Sequence, residues 1–271
     1  MAENTPVYDV VIPARNEQEY IVDTINAIRS QTIPPNQIIV VNDGSEDDTP
    51  IIAVKLADKV VHREDRGYSI IGQPNKFGEI FNDGLKQVSS KAEYVFIIGA
   101  DDYIEPDHVE QLIIVMRGNP KLVIASGRLP KDSKKGHPLG TRLVKTDWWR
   151  KLNGLKYPET WGYEDYIIFK ALQQGYEAKR ISYVIVHARR KQSMVREPES
   201  FGKSMYALGY DAKYAIGRCV KQAIVNGPII GIKMLWGYIN HKNVPQLDIA
   251  PWIRQHQSKQ FWGRVLRLGG R

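Results

Sequence analysis

The chain has 271 residues, a formal charge of +8, 42% hydrophobic residues and one cysteine. That is the make-up of a globular protein long enough to bury a sizeable core, as one large domain or a domain with an appendage. The lone Cys219 excludes an internal disulfide and the cysteine clusters of a zinc site, which fits a reducing compartment, and no segment offers the ~18 to 20 uninterrupted apolar residues of a spanning helix.

Residues Met1 to Pro6 are polar and read as no secretory leader, so a cytoplasmic protein is expected. Val7 to Ile12 predicts a first strand stopped by Pro13, and Glu17 to Gln31 a helix with apolar residues at Ile21, Ile25 and Ile28. After Pro34-Pro35, the β-branched run Gln37 to Val41 predicts a buried strand. Asp43-Gly44-Ser45 with Asp47-Asp48-Thr49 then makes a turn and a helix start. A short third strand is expected near Val60-Val61, a loop from Arg63 to Pro74 and a helix from Lys76 to Val88. Tyr94 to Ile98 predicts a fourth strand that runs into Asp101-Asp102, which leaves uncompensated negative charge at the carboxyl edge of a parallel sheet, where open α/β folds bind ligands.

Further along, Pro106 to Met116 predicts a helix and Leu122 to Ala125 a strand. Gly127 to Gly140 reads as a surface loop able to close over a ligand, and Thr141 to Thr146 as an edge strand. A short helix over Asp147 to Leu152 precedes a helix over Tyr163 to Gln174 with Glu164-Asp165 in its first turn, and Ala178 to Val186 is the last strand. Trp148, Trp149 and Trp161 read first as core aromatics, with stacking on a sugar as the alternative. Alternating strands and helices predict an α/β fold with a mostly parallel central sheet flanked by helices.

The charge is unevenly distributed. From Arg189 to Arg271 there are 15 Lys plus Arg against four Asp plus Glu, whereas the remaining 188 residues hold 23 against 26. Such a basic tail usually meets phosphate. Phe201 to Ile224 carries helical spacing, and Pro228 to Ile239 is nearly all apolar but too short to cross a bilayer. Two domains are expected, 1–198 and a helical C-terminal extension over 199–271.

Val11-Ile12-Pro13-Ala14-Arg15-Asn16-Glu17, Val40-Val41-Asn42-Asp43-Gly44-Ser45 with Asp48-Thr49, Ala100-Asp101-Asp102 and Glu164-Asp165 resemble, in that order, the signatures of family 2 glycosyltransferases over roughly residues 7–190. The resemblance implies a GT-A fold, a nucleotide-sugar donor and inverting transfer. It assigns Pro13, Ala14, Arg15 and Glu17 to the nucleoside and Asp43 to the base imide, a pairing that prefers uracil or guanine. Lys76 is assigned to the diphosphate, with Arg66 a weaker candidate, and Asn82 matches an Asn of the family's same helix. Aligned on the family's Asp-Ala-Asp-Asp, the chain has Gly99 in place of the first carboxylate. Asp101 then inherits the metal role, Asp102 takes metal or ribose, and His187 is a further metal ligand beside Arg189, Arg190 and Lys191. The ion expected is Mn²⁺ or Mg²⁺, which accepts one or two carboxylates together with diphosphate oxygens and water. Asp165 is implied as the base and Glu164 as an orienting group.

Each of these residues also has a plainer reading: Asp43-Gly44-Ser45 as a chain turn, Asp101-Asp102 as a cap for the next helix, and Glu164-Asp165 as acids complementing a helix dipole. The expected acceptor is a hydroxyl or, given the tail, a lipid-linked group, with an anionic membrane surface as partner on the inner face of the cell membrane. No nucleic-acid module is visible. The alternatives are a sugar nucleotidyltransferase, which should carry a Gly-rich loop after the first strand where this chain has none, and a nucleotide-sugar-binding or membrane scaffold in which Gly99 marks impaired catalysis.

Overall fold

A computed structural model describes residues 5–65, 77–130, 137–138, 140–189 and 197–257. Lys76, Arg66, Arg190, Lys191, most of the expected closing loop (131–136 and 139) and the end of the tail (258–271) lie outside the described residues. The chain divides into two compact units: Met1–Tyr68, Glu79–Tyr157 and Gln174–Arg190 form the first, and Ser69–Gly78, Pro158–Gln173 and Lys191–Arg271 the second.

The first unit is built on a sheet whose strands are β1 (Tyr8–Ala14), β2 (Gln37–Asp43), β3 (Lys59–Arg63), β4 (Tyr94–Ile97), β5 (Asp102–Ile104), β6 (Leu122–Arg128), β7 (Arg142–Lys145) and β8 (Glu177–Ala188). Among the described residues the strand order is β3-β2-β1-β4-β7-β6-β8-β5. β1 pairs in parallel with β2 and β4, and β2 with β3, so their carboxyl ends share one edge. The apolar runs of β1, β2 and β4 are buried on both faces, as strands covered by helices require. α1 (Ile21–Arg29) and α4 (His108–Gly118) supply Ile21, Ile25, Val109 and Leu112 to the same core as Val10, Ile12 and Phe96. One buried carboxylate sits at the sheet's other end: Asp9 accepts from Asn36 Nδ2 at 2.8 Å, Gln37 Nε2 at 2.6 Å and the Ser89 amide at 2.6 Å, so its burial is compensated by hydrogen bonds.

Two strands depart from expectation. β7 is not an edge strand but lies between β4 and β6, antiparallel to both, because its Leu143 and Val144 are fully buried. β5 follows the acidic turn and pairs antiparallel with β8, setting Tyr103 opposite His187 and Asp102 opposite Ala188. Three residues with one carboxylate give no readable alternation, which is why this strand escapes detection in the sequence. The remaining helices of this unit are α2 (Thr49–Leu56), most of α3 (Phe77–Leu85) and α5 (Thr146–Asn153). Trp149 of α5 is fully buried and Trp148 nearly so, their indole N–H groups bonded to Lys156 O and Gln174 Oε1, which is the core-packing role.

In the second unit α6 (Tyr163–Gln173) packs with α7 (Pro198–Ala207), α8 (Ala212–Asn226), α9 (Pro228–Ile239) and a last helical segment at 250–257. Phe169, Met205, Leu208, Met234, Ile249 and Ile253 form their common core. A Cβ on Gly202 of α7 would stand 2.0 Å from Met234 O, and one on Gly237 of α9 2.0 Å from Glu199 O. Glycine at these two positions is what lets the α7 and α9 backbones touch. The single helical stretch expected from Phe201 to Ile224 is two helices, broken at Gly209-Tyr210-Asp211, and Asp211 caps α8 by accepting from the Lys213 amide.

Candidate active site

The parallel edge of the first unit gathers the loop after β1 and the turn after β2. These two segments are laced by reciprocal bonds. The Asn16 amide donates to Ser45 Oγ at 3.0 Å and Asn16 Oδ1 accepts from the Glu46 amide at 2.9 Å. The Gln18 amide donates to Asp47 at 3.1 Å while Gln18 Oε1 accepts from the Asp48 amide at 3.0 Å. The Glu17 amide donates to Thr49 Oγ1 at 2.7 Å. Four residues expected to face a nucleoside, Pro13, Ala14, Arg15 and Glu17, are thus held on a preformed edge beside Asp43.

Arg15 bridges the edge. Its guanidinium donates to Asp43 O and to Asp65 Oδ1, both at 2.8 Å. Gly44 sits beneath Asp65 with φ +66°, and a Cβ there would lie 2.5 Å from the Asp65 Cα, so both the turn and the close approach require glycine. Asp43 itself is buried, and Arg63 Nε donates to its Oδ1 at 3.1 Å. The same guanidinium meets Asp83 and, at 3.4 Å, Glu79, both on α3. In sequence Arg63 opens the expected loop, whereas it ends β3 and its partners lie 16 or more residues away, beyond any local pattern. Asn82 of α3 is buried and exchanges two bonds with the Tyr157 backbone, at 3.0 and 2.8 Å.

The acidic turn follows β4. Thr24 of α1 fixes it by donating its hydroxyl toward Ala100 O at 2.8 Å and Asp102 O at 2.9 Å. Asp101 O accepts from the Arg189 amide at 3.4 Å, and the Arg189 side chain is anchored to Asp23 at 3.0 Å. Burial pushes the Asp102 carboxyl up to about 6; the Thr141 hydroxyl, bonded to its Oδ2, opposes the shift and the adjacent Asp101 charge adds to it. A Cβ on Gly99 would stand 3.2 Å from Asp101 Oδ1 and 3.4 Å from Asp102 Oδ2. Both carboxylates therefore lean over Gly99 with hard oxygen donors close together, an arrangement that fits a Mg²⁺- or Mn²⁺-type ion completed by substrate oxygens and water. His187 lies across from Tyr103 on β8, and its Nε2 is 3.4 Å from Glu105 Oε1. Among the described residues no three His, Cys, Asp or Glu side chains form a ready-made metal cluster.

Glu164 and Asp165 belong to the second unit, in the first turn of α6. Ahead of them Trp161 lies under Lys203, whose ammonium is 5.8 Å from the ring centre, and Tyr163 stacks on Phe77 at 6.4 Å. Arg218 of α8 reaches this place from far along the sequence. Burial opposes its charge, but Tyr210, Asp165, Tyr214 and Cys219 together outweigh that penalty and raise its pKa, so a half-buried guanidinium feels the carboxylate expected to be the base. Burial, reinforced by the Asp165 charge, raises the Tyr210 phenol, which stays neutral. In sequence Arg218 stands in the basic tail, with nothing around it that signals this interaction.

The family model for Glycosyl transferase family 2 matches residues 9–173. The candidate glycosyltransferase EpsH of Bacillus subtilis (strain 168) is 32% identical over 127 residues, which is 45% of this chain and 34% of that protein. The chain thus spans about a third of the length of that curated relative. TarS of S. aureus in complex with UDP superposes with a TM-score of 0.55 at 21% identity, over 73% of this chain and 63% of that one. A mannosyltransferase of Pyrobaculum calidifontis, PcManGT, solved with GDP-Man and Mn²⁺, superposes with a TM-score of 0.62 at 16% identity, over 98% of this chain and 81% of that one.

Proposed function

Because the chain belongs to glycosyl transferase family 2 and has the GT-A fold, we propose that it moves a sugar, with inversion, from a nucleotide diphosphate donor to a hydroxyl acceptor. The observation that carries this is the pair of carboxylates over Gly99, set on the same sheet edge as the laced nucleoside loops. UDP and GDP-mannose accompany the two structural relatives, and an acidic acceptor at Asp43 suits the ring N–H of uracil or guanine; UDP-sugar is the favoured donor. Pro13, Ala14, Arg15 and Glu17 line the nucleoside, and Lys76 meets the diphosphate.

Asp101 and Asp102 would hold Mn²⁺ or Mg²⁺, with His187 as a further ligand. When bound, the ion neutralises charge on the leaving diphosphate. The protein's own chemistry is at the acceptor. Asp165 takes the proton of the acceptor hydroxyl as its oxygen attacks the anomeric carbon, and the bond from that carbon to the diphosphate oxygen breaks with its electron pair leaving on the nucleoside diphosphate. Glu164 orients the acceptor. The two domains proposed are 1–198 as the nucleotide-sugar-binding catalytic domain and 199–271 as a helical extension that brings the enzyme to an anionic membrane, where a lipid-linked acceptor resides. On this reading the protein works in the cytoplasm, peripheral to the membrane.

A thermal-shift panel of uridine, guanosine and adenosine diphosphates and their sugars, with Mn²⁺ or with chelator, tests base, sugar and metal need together. Stabilisation by a UDP-sugar that depends on Mn²⁺, followed by release of UDP on adding acceptor, is the expected result. A nucleotidyltransferase would instead consume a nucleoside triphosphate and release pyrophosphate. A binding scaffold would be stabilised without any turnover.

A further inference from the structure

α8 and α9 form a helical hairpin turned at Gly227, and each spends one face inside the second unit. Ala215 and Cys219 of α8, and Gly231, Met234 and Gly237 of α9, are buried. The faces that remain are apolar as well. Ile216, Val220 and Ile224 follow one another at four-residue spacing along α8, and Ile224 is 80% exposed. Ile229, Ile232 and Trp236 run along α9 in the same way, with Trp236 58% exposed. A single exposed isoleucine is ordinary, but two adjoining stripes of them are not, and a polar solvent has no use for such a surface.

The charge around the stripes identifies what covers them. Lys213, Lys221 and Lys233 are exposed on the same two helices. From Ala212 to Leu247 the sequence has no acidic residue. A second copy of the chain docked on this face would bring like charges together. A bilayer with anionic headgroups neutralises the lysines while its acyl boundary takes up the isoleucines, and tryptophan is the side chain that prefers that boundary. At twelve residues, α9 is only about 18 Å long, against the ~30 Å of a hydrocarbon core. No helix among the described residues is long and apolar enough to cross a membrane. The hairpin is therefore suited to lie along the interface.

We propose that the outer face of the α8–α9 hairpin is the membrane-docking surface of this protein, lying in the interface of an anionic lipid bilayer. This deepens the membrane reading given under Proposed function and is independent of the donor chemistry.

The test is flotation of the full-length protein with vesicles of phosphatidylcholine alone or with about a third phosphatidylglycerol. Wild type should float with the anionic vesicles and stay behind with the neutral ones. The triple variant Ile224→Gln, Ile232→Gln, Trp236→Gln should lose flotation, and Lys213→Gln, Lys221→Gln, Lys233→Gln should weaken partitioning by roughly a hundredfold. Nucleotide-sugar stabilisation, measured on the same samples, reports that each variant is folded and that the donor site is intact. Equal flotation of wild type and the apolar triple variant overturns the proposal. So does a wild type that ignores vesicles but is a dimer by light scattering and becomes a monomer in the triple variant. Flotation that follows the proposal in a protein no nucleotide-sugar stabilises would uphold the docking surface and sink the transferase reading instead.

Discussion

Arg63 Nε donates to Asp43 Oδ1 at 3.1 Å, so the carboxylate assigned to the nucleotide base is held by a cation on the neighbouring strand. Asp43 is 3% exposed and Arg63 13% exposed at the side chain, and Arg63 also meets Glu79 and Asp83. Removing the guanidinium takes one counter-ion away from buried negative charge. Arg63→Met should cost about 3 kcal/mol of stability, read from the urea midpoint. Asp43→Asn leaves Arg63 two other partners, so it should cost roughly 1 kcal/mol of stability yet weaken uridine diphosphate binding about tenfold. An Asn variant that binds as well as wild type would remove Asp43 from the base site.

The space above Gly99 makes the proposed metal site testable. A carboxylate introduced by Gly99→Asp would crowd Asp101 and Asp102, since its Cβ alone would stand 3.2 Å from the nearer oxygen. In chelator the variant should lose about 2 kcal/mol of stability to like-charge repulsion. In Mn²⁺ it should recover that loss or exceed it, because the added oxygen donor strengthens the site. A variant whose melting temperature is equally depressed with and without Mn²⁺ would show that no divalent ion binds over Gly99.

The charge of Asp165 on α6 favours the charged form of Arg218 on α8, whose guanidinium lies 5.9 Å from the centre of the Tyr210 ring. Asp165→Asn should abolish transfer while leaving the donor dissociation constant near wild type, because the amide cannot take the acceptor proton. Arg218→Met should lower kcat by about tenfold with little change in the donor KM, since it acts through Asp165 rather than on the donor. Arg218→Lys should restore part of that loss. A variant at 218 that raises donor KM and spares kcat would place Arg218 in the donor site.

What was legible in the sequence, and what was not, divides by the range of the interactions involved. β1, β2 and β4 are runs of buried β-branched residues, and their two-sided burial is written in composition alone. The apolar stretch Pro228 to Ile239, opened by a proline suited to a helix start, is the whole of α9. By contrast, whether Arg142–Lys145 is an edge or an inner strand depends on which strands flank it, and four residues carry no record of their neighbours. The same limit hid the contacts of the candidate site. Asp101, Asp102 and Asp165 stand in readable motifs, but Arg63, Thr141 and Arg218 act on carboxylates 20 to 53 residues away, and their own surroundings in sequence are ordinary.

Acid stability should turn on His108. Its ring is 1% exposed, packed against Phe96 at 5.8 Å. Nδ1 is 3.0 Å from Ile185 O, so this nitrogen carries the proton and donates it, and Nε2 is buried with no hydrogen-bond partner. Burial pushes the imidazole down from 6.5 to about 4, since protonation would place a charge where nothing accepts it. The unfolded chain takes up that proton near 6.5 and the folded chain does so only near 4, so between these values the unfolded state binds more protons and stability falls as pH is lowered. The loss from this group is at most about 3 kcal/mol. Asp102, whose carboxyl is raised to about 6, takes up its proton first in the folded state and offsets part of this loss, so the His108 contribution is read as the difference between wild type and variant in urea midpoints taken between about pH 7.5 and about pH 5. His108→Asn keeps an N–H for Ile185 O but cannot titrate, so it should begin lower, because a smaller side chain packs less well, and decline with a visibly shallower slope. Parallel declines in the two proteins would assign the acid sensitivity to other groups.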